Sequence, residues 1–166
     1  MRSYEIHGVY LDIGTNIGNH ALFFSLFCRS TRVIGFEPVP QWRKRAIDNI
    51  EANGCNIDVL PIGLLDSAQK LNFNPYGTTH VLDCLPLDEV LPDITEVGFV
   101  KMDIEGSEPR ALLGGREFFR RNRPIIFAEC LGTTNNLFSA AALIGYQPSG
   151  LIFQDRCSPM VELIPI

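Results

Sequence analysis

Residues 9–20, Val-Tyr-Leu-Asp-Ile-Gly-Thr-Asn-Ile-Gly-Asn-His, constrain the fold more than any other stretch. The run Val9 to Ile13 is apolar without alternation, apart from its acid, as a strand buried in a parallel sheet would be. Gly14 and Gly18 bracket a turn, and Ile17 to Cys28 continues as a helix that is apolar nearly all round, expected to pack deep against a sheet. Strand, turn and helix in that order set the turn at the carboxyl end of a strand and over a helix N-terminus. Open α/β sheets hold nucleotide-like ligands there, and glycines let the backbone approach them closely.

The rest of the chain repeats the alternation. Arg32 to Glu37 reads as a second strand ending in an acid, stopped by Pro38 and Pro40. A helix follows over about Gln41 to Asn53, with Trp42, Ala46 and Ile50 on the face towards the sheet and Gly54 just beyond its end. Ile57 to Leu60 is a third strand, Leu71 to Phe73 a short extra one, Asn74 to Val81 a loop, and Leu85 to Leu91 a short helix or turn. Val97 to Ile104 is a fourth strand. Ser107 is placed to cap the next helix, with Pro109 in its first turn. Pro124 to Cys130 is a fifth strand and Leu137 to Ile144 a helix closed by Gly145. Ser149 to Gln154 and Met160 to Ile164 would pair through a hairpin turn at Asp155 to Ser158. Strands alternating with helices imply a parallel sheet covered on both faces, with the closing hairpin as an antiparallel edge.

At 166 residues the chain has room for one domain with a full core and too little for two. A formal net charge of −5 disfavours non-specific binding to nucleic acid or to anionic membranes. The basic runs Arg43-Lys44-Arg45 and Arg120-Arg121-Asn122-Arg123 fall on helices or their ends, as solvated faces do. The five cysteines, Cys28, Cys55, Cys84, Cys130 and Cys157, are widely spread with no C-x-x-C, which indicates neither a disulfide framework nor a zinc site. Reduced thiols in a cytoplasmic protein are the plain reading. No apolar run reaches transmembrane length, and Met1 to His7 is too short and polar for a signal peptide.

Asp12, Glu37, Asp103, Glu105 and Glu129 all fall at or just past the carboxyl ends of parallel strands, on one rim of the sheet. Packing does not require that pattern. A bound cation, or a ligand rich in hydroxyls, would justify it. Glu37 follows the glycine turn by roughly twenty residues, where nucleotide-binding folds place an acid that accepts from ribose hydroxyls; the competing role is to cap the following helix near Gln41. Lys101 and Asp103 are two apart, so they share a face of their strand. An ion pair between them, with Glu105 as a third member, would offset the cost of burying the lysine; a lysine reaching out from the sheet edge is the alternative. His20, one turn into the first helix, and His80, in the loop, are candidate general bases, though a lone histidine is more often a bystander. Asp66 could reach an adenine amino group or simply stabilise a turn. No Ser-His-Asp arrangement and no metal-ligand spacing stands out.

The acid inside the strand end separates two ligand classes. The spacing is Asp-x-Gly-x-x-x-Gly and lacks the third glycine of G-x-G-x-x-G. A dinucleotide pyrophosphate needs bare amides and disfavours a nearby carboxylate. A cofactor carrying an ammonium and a sulfonium is attracted to one. This favours S-adenosyl-L-methionine over NAD.

The same residues resemble the FkbM-type family of class I S-adenosylmethionine-dependent methyltransferases, from Tyr10 to about Tyr146. The turn Leu-Asp-Ile-Gly-Thr-Asn-Ile-Gly matches the family's first motif, and Phe36-Glu37-Pro38-Val39-Pro40 followed by Asn49 and Asn53 matches its second. Lys101-Met102-Asp103-Ile104-Glu105-Gly106-Ser107-Glu108, then Leu112-Leu113-Gly114-Gly115, is the most specific block, and Arg123-Pro124-Ile125-Ile126-Phe127-Ala128-Glu129 matches the fifth-strand block. The resemblance implies a Rossmann-like, doubly wound, mostly parallel seven-stranded sheet with a C-terminal antiparallel hairpin. It also implies S-adenosylmethionine as methyl donor and, as acceptor, a small-molecule hydroxyl on a sugar or secondary metabolite. Carried over by position, Asp12, Gly14, Asn16 and Gly18 would line the methionine part, Glu37 would hold the ribose, and Gly63 belongs with these cofactor-binding residues. Asp103 and Glu105 would line the reaction cleft, either serving as base with Lys101 fixing the carboxylate. Family members usually carry more chain before the first strand than the eight or so residues here, so the expectation is a fragment, an open site, or one closed by a second subunit of a homo-oligomer. A non-catalytic module of the same fold is the competing functional class; it would bind the cofactor and turn over no acceptor.

Overall fold

The computed structural model describes residues 5–131, 134–154 and 159–166. Its main sheet has seven strands in the order β3-β2-β1-β7-β8-β10-β9. These are β1 (Gly8–Ile13), β2 (Ser30–Phe36), β3 (Asp58–Leu60), β7 (Val97–Met102), β8 (Ile125–Glu129), β9 (Tyr146–Gln154) and β10 (Pro159–Pro165). The first five run parallel, and β10 is antiparallel to both β8 and β9. The mostly parallel seven-stranded sheet with antiparallel closure is therefore as the sequence implied. The turn expected at Asp155 to Ser158 lies outside the described residues.

Helices α1 (Asn19–Phe27) and α2 (Pro40–Ala52) follow β1 and β2; α3 (Leu87–Val90), α4 (Glu108–Gly114), α5 (Arg116–Asn122) and α6 (Thr134–Leu143) come later in the chain. One face of the sheet carries Leu11, Ile13, Val100, Met102, Ile126, Ala128, Val161 and Leu163, all buried against Leu87, Leu112, Phe118, Phe119, Leu137 and Ala141 of the later helices. The other face differs. Register aligns Tyr10 with Phe99, Lys101 with both Asp12 and Phe127, Glu129 with Met160, and Met160 with Phe153. These side chains share the α1 side, and their rings form a continuous row: Tyr10–Phe99 5.3 Å, Phe99–Phe127 5.2 Å and Phe127–Phe153 5.2 Å between centroids.

Several expectations change. Helix α1 buries Ala21 and Phe24 only, while Phe23 and Phe27 are 53% and 74% exposed, so a single narrow stripe of it packs on the sheet, with Phe24 against Tyr10 and Phe99. The segment expected to be a loop and then a helix from Leu85 contains β6 (His80–Leu85). With β4 (Gly63–Leu64) and β5 (Gln69–Phe73), β6 forms a second, three-stranded sheet. His80 thus opens a strand, and α3 is only four residues long. The fourth parallel strand stops at Met102, so Asp103 lies just past it rather than within it. The helix expected as one unit after Ser107 breaks at Gly115 into α4 and α5.

Candidate active site

The turn after β1 is tied down from both sides. The Thr15 hydroxyl donates to Asp12 O (2.8 Å) and accepts from Phe36 N (2.9 Å), while Gly14 N and Thr15 N both donate to Phe36 O at 3.0 Å. Gly14 has φ +83, and a Cβ there would lie 1.9 Å from Asp103 O, so only glycine lets the β1 and β7 ends come this close. Asn16 takes the left-handed conformation at φ 51, which asparagine tolerates well.

Glu37 joins this turn to the end of β2. Its Oε2 accepts from Asn16 N and its Oε1 from Val39 N, each at 2.8 Å. Burial raises its carboxyl above the ordinary range, and the Val39 and Asn16 amides oppose that shift. A carboxylate has about four acceptor positions. Two are used here, so the group can serve the backbone and still receive hydroxyls. The cap near Gln41 that the sequence offered as a competing role for Glu37 is not made; Glu37 instead holds Val39 N, just before α2.

Lys101 is the buried cation of the site. Its ammonium lies 3.3 Å from Asp103 Oδ2, 3.5 Å from Asp12 Oδ1 and 3.4 Å from Gly14 O. The Lys101–Asp103 pair expected from spacing is present, with Asp12 as its third member; Glu105 stands exposed instead, in a left-handed conformation at φ 57. Burial raises the Asp12 carboxyl, opposed by the charges of Lys101 and His20. His20 is pushed below its ordinary value by burial and by Lys101, with Asp12 and Asp103 pulling the other way.

These groups border a cavity of about 560 Å³, within the size range of small-molecule sites. Gly14, Asn16, Glu37, Gly63, Lys101, Asp103 and Glu105 line it, as does His20. Asp12 and Gly18 do not. Asp12 is fully enclosed beneath the turn, and Gly18 packs against Ala46 at the start of α1. Asp66 and His80 also lie outside the lining, and Asp66 pairs with Arg110 at 2.6 Å. Ser107 makes no side-chain cap; Glu108, buried, accepts from Ile104 N at 2.7 Å and holds the loop after β7.

The wall opposite the turn was not foreseen. Leu71, Phe73, Leu82 and Cys84 from the small sheet line the cavity, with Trp42 stacked edge-on against Phe73 at 5.9 Å. The period-two alternation in Gln69–Phe73 and His80–Leu85 was the available signal. Among the described residues no group of three or more His, Cys, Asp or Glu could hold a metal ion, and no helix is long and apolar enough to cross a membrane.

The sequence profile of the family described as "Methyltransferase FkbM domain" matches residues 12–144. The hexuronic acid methyltransferase AglP of Haloferax volcanii is 29% identical over 124 residues, which cover 66% of this chain and 51% of that protein. Among solved structures, a methyltransferase FkbM from Methylobacillus flagellatus superposes with a TM-score of 0.74 at 22% identity, over 98% of this chain and 44% of that one. TrmK of M. capricolum, solved with S-adenosyl-homocysteine, superposes with a TM-score of 0.60 at 13% identity, over 96% of this chain and 62% of that one. At these identities the structural likeness shows the fold. The chain spans about half the length of the curated hexuronic acid methyltransferase it matches.

Proposed function

The chain belongs to the FkbM methyltransferase family, and from that premise we propose that it transfers a methyl group from S-adenosylmethionine to a hydroxyl of a small molecule, a sugar or a secondary metabolite. The observation that carries this reading is the Asn16–Glu37 hydrogen bond, which holds a carboxylate with free acceptor positions against the glycine turn in the cavity that Asp103 and Glu105 border.

The residues suit the cofactor. Glu37 keeps free acceptor positions for ribose hydroxyls. Gly14, Asn16 and Gly63 line the cavity beside Glu37, and Val39, Leu65, Trp42 and Phe73 offer an apolar wall for a flat base. Asp103 and Glu105 supply negative charge beside the turn, which suits an ammonium and a sulfonium. Asp12 acts from beneath, by fixing Lys101, which in turn fixes Asp103. The bound cofactor supplies a methyl group on a sulfonium that departs as a neutral thioether. The protein's part is to hold the acceptor oxygen in line with that methyl, at roughly 3–3.5 Å, and to provide for its proton. The solved relative TrmK, with S-adenosyl-homocysteine bound, and the hexuronic acid methyltransferase support the cofactor and the acceptor class respectively. A cytoplasmic setting accords with the free thiols of Cys28, Cys55, Cys84 and Cys130.

The test is methyl transfer from methyl-labelled S-adenosylmethionine to a panel of uronic acids and hydroxylated metabolites. Label in an acceptor, with one S-adenosyl-homocysteine formed per methyl, is the expected result. Cofactor binding without turnover of any acceptor would instead favour a non-catalytic module.

A further inference from the structure

A second cavity, of about 520 Å³, lies on the α1 side of the sheet. Its floor and walls are the aromatic row described above, Tyr10, Phe99, Phe127 and Phe153, with Phe24 of α1 closing one side. Among the described residues, three line both this cavity and the one that carries the cofactor features: His20, Lys101 and Asp103. All three are ionisable. Two spaces, one aromatic and one rimmed by carboxylates and amides, thus meet at the groups able to manage a proton.

Resting on the methyltransferase reading, we propose that the aromatic cavity is the acceptor site for a hydroxyl compound with an apolar, ring-bearing body, and that His20 takes the hydroxyl proton where the two cavities join. The division follows from chemistry. The glycine turn and Glu37 lie in the first cavity alone, so the cofactor claims that space. The second offers ring faces and edges that favour stacked or edge-on rings. It has few donors with which to hold a free, fully polar sugar.

The choice of base follows from the neighbours. Asp103 is already engaged by the Lys101 ammonium at 3.3 Å. His20 carries a nitrogen lone pair when neutral. The charged groups that act on it are Asp12 on β1 and Lys101 and Asp103 on β7 and its loop, and Glu129 at the end of β8 lines the same cavity. Burial and Lys101 hold His20 below its ordinary value, so at neutral pH it stands ready to accept. In the transfer the acceptor O–H bond breaks and its proton goes to the imidazole. An oxygen lone pair forms the new C–O bond, the sulfonium C–S bond breaks, and its electron pair stays on sulfur. Despite its partial burial His20 keeps part of its surface open, so the proton can pass on to solvent.

The experiment uses the 166-residue chain, 4-phenylbenzyl alcohol as probe, and free glucuronic acid as the polar control. Calorimetry in the presence of S-adenosyl-homocysteine should show the alcohol binding and the sugar acid at least tenfold weaker. Phe153→Ser, at the exposed rim, should weaken the alcohol at least tenfold and leave S-adenosyl-homocysteine affinity unchanged. His20→Asn should keep both affinities, lower the methylation rate of the alcohol about a hundredfold, abolish the acidic limb of the pH–rate profile, and respond to added imidazole. Preferential binding of the sugar acid, wild-type alcohol affinity in Phe153→Ser, a bound alcohol that is never methylated, or an unchanged rate and pH profile in His20→Asn would overturn the proposal and leave the cofactor reading intact. Failure of S-adenosyl-homocysteine to bind at all would overturn both.

Discussion

The Lys101 ammonium lies 3.5 Å from Oδ1 of Asp12, a carboxylate with no exposure to solvent. The pair sits beneath the glycine turn and carries its geometry to Asp103, so it links core stability to the cleft. Burying either charge alone is costly, and removing one partner exposes that cost. Lys101→Met should therefore lower the unfolding free energy by about 3–5 kcal/mol near neutral pH. The sign of the pH effect follows from Asp12. Burial raises its folded-state carboxyl above the unfolded value, so its contribution is complete below the unfolded value and lost as pH rises through the folded one. Without Lys101 that shift grows. Denaturation across pH should find the gap between variant and wild type narrowing towards acid, and a constant gap would contradict this.

Glu37→Gln tests the acid at the end of β2. An amide cannot accept from both Asn16 N and Val39 N with the same two oxygens, so one backbone donor loses its partner. A hydrogen bond to a charged group is worth about 1.5–3 kcal/mol, and a loss of that order should appear in urea denaturation. Glu37 is also raised by burial, so its own contribution to wild-type stability fades as pH climbs through its folded value. Glu37→Gln should flatten that part of the wild-type profile.

Gly14→Ala combines a left-handed φ with a Cβ placed 1.9 Å from Asp103 O. Strain of about 1–2 kcal/mol for the backbone alone is the minimum, and the β1–β7 ends must part to admit the methyl group. The expected outcome is a destabilised chain without measurable cofactor affinity. Gly54→Ala, at φ +65 with open space around it, serves as the control that bears strain without the clash.

Glu108→Ala removes the buried acceptor of Ile104 N. The orphaned amide costs about 1–3 kcal/mol, and the loop that bears Asp103 and Glu105 loosens. Stability should fall, and affinity for S-adenosyl-homocysteine with it. Ser107→Ala, expected from sequence to remove the cap, should leave stability unchanged, because Ser107 makes no cap bond.

Much of this was legible in the chain. The apolar runs of β1, β2, β7 and β8 end in acids at the rim, and two-residue spacing placed Lys101 beside Asp103. Spacing could not say that Asp12 would be sealed under the turn, since Asp12 Oδ1 meets Lys101 only once β1 and β7 lie side by side. The small sheet escaped notice because Pro75 and Gly77 read as loop punctuation, while the alternation of Leu82 and Cys84 is only one short strand long. Helix α1 looked fit for deep burial because Phe23 and Phe27 are apolar; composition does not reveal that the neighbouring sheet face is open. The loop-holding role of Glu108 was hidden by Ser107, a better capping residue one position earlier.

The central claim is that the cavity over the β1 and β2 ends receives S-adenosylmethionine through Glu37. Calorimetric titration of S-adenosyl-homocysteine into wild type and Glu37→Ala, with NAD as the comparison ligand, addresses it directly. Saturable binding to wild type, at least tenfold weaker binding to the variant, and no heat from NAD is the expected result. Equal affinity in both proteins, or NAD binding in place of S-adenosyl-homocysteine, would contradict it.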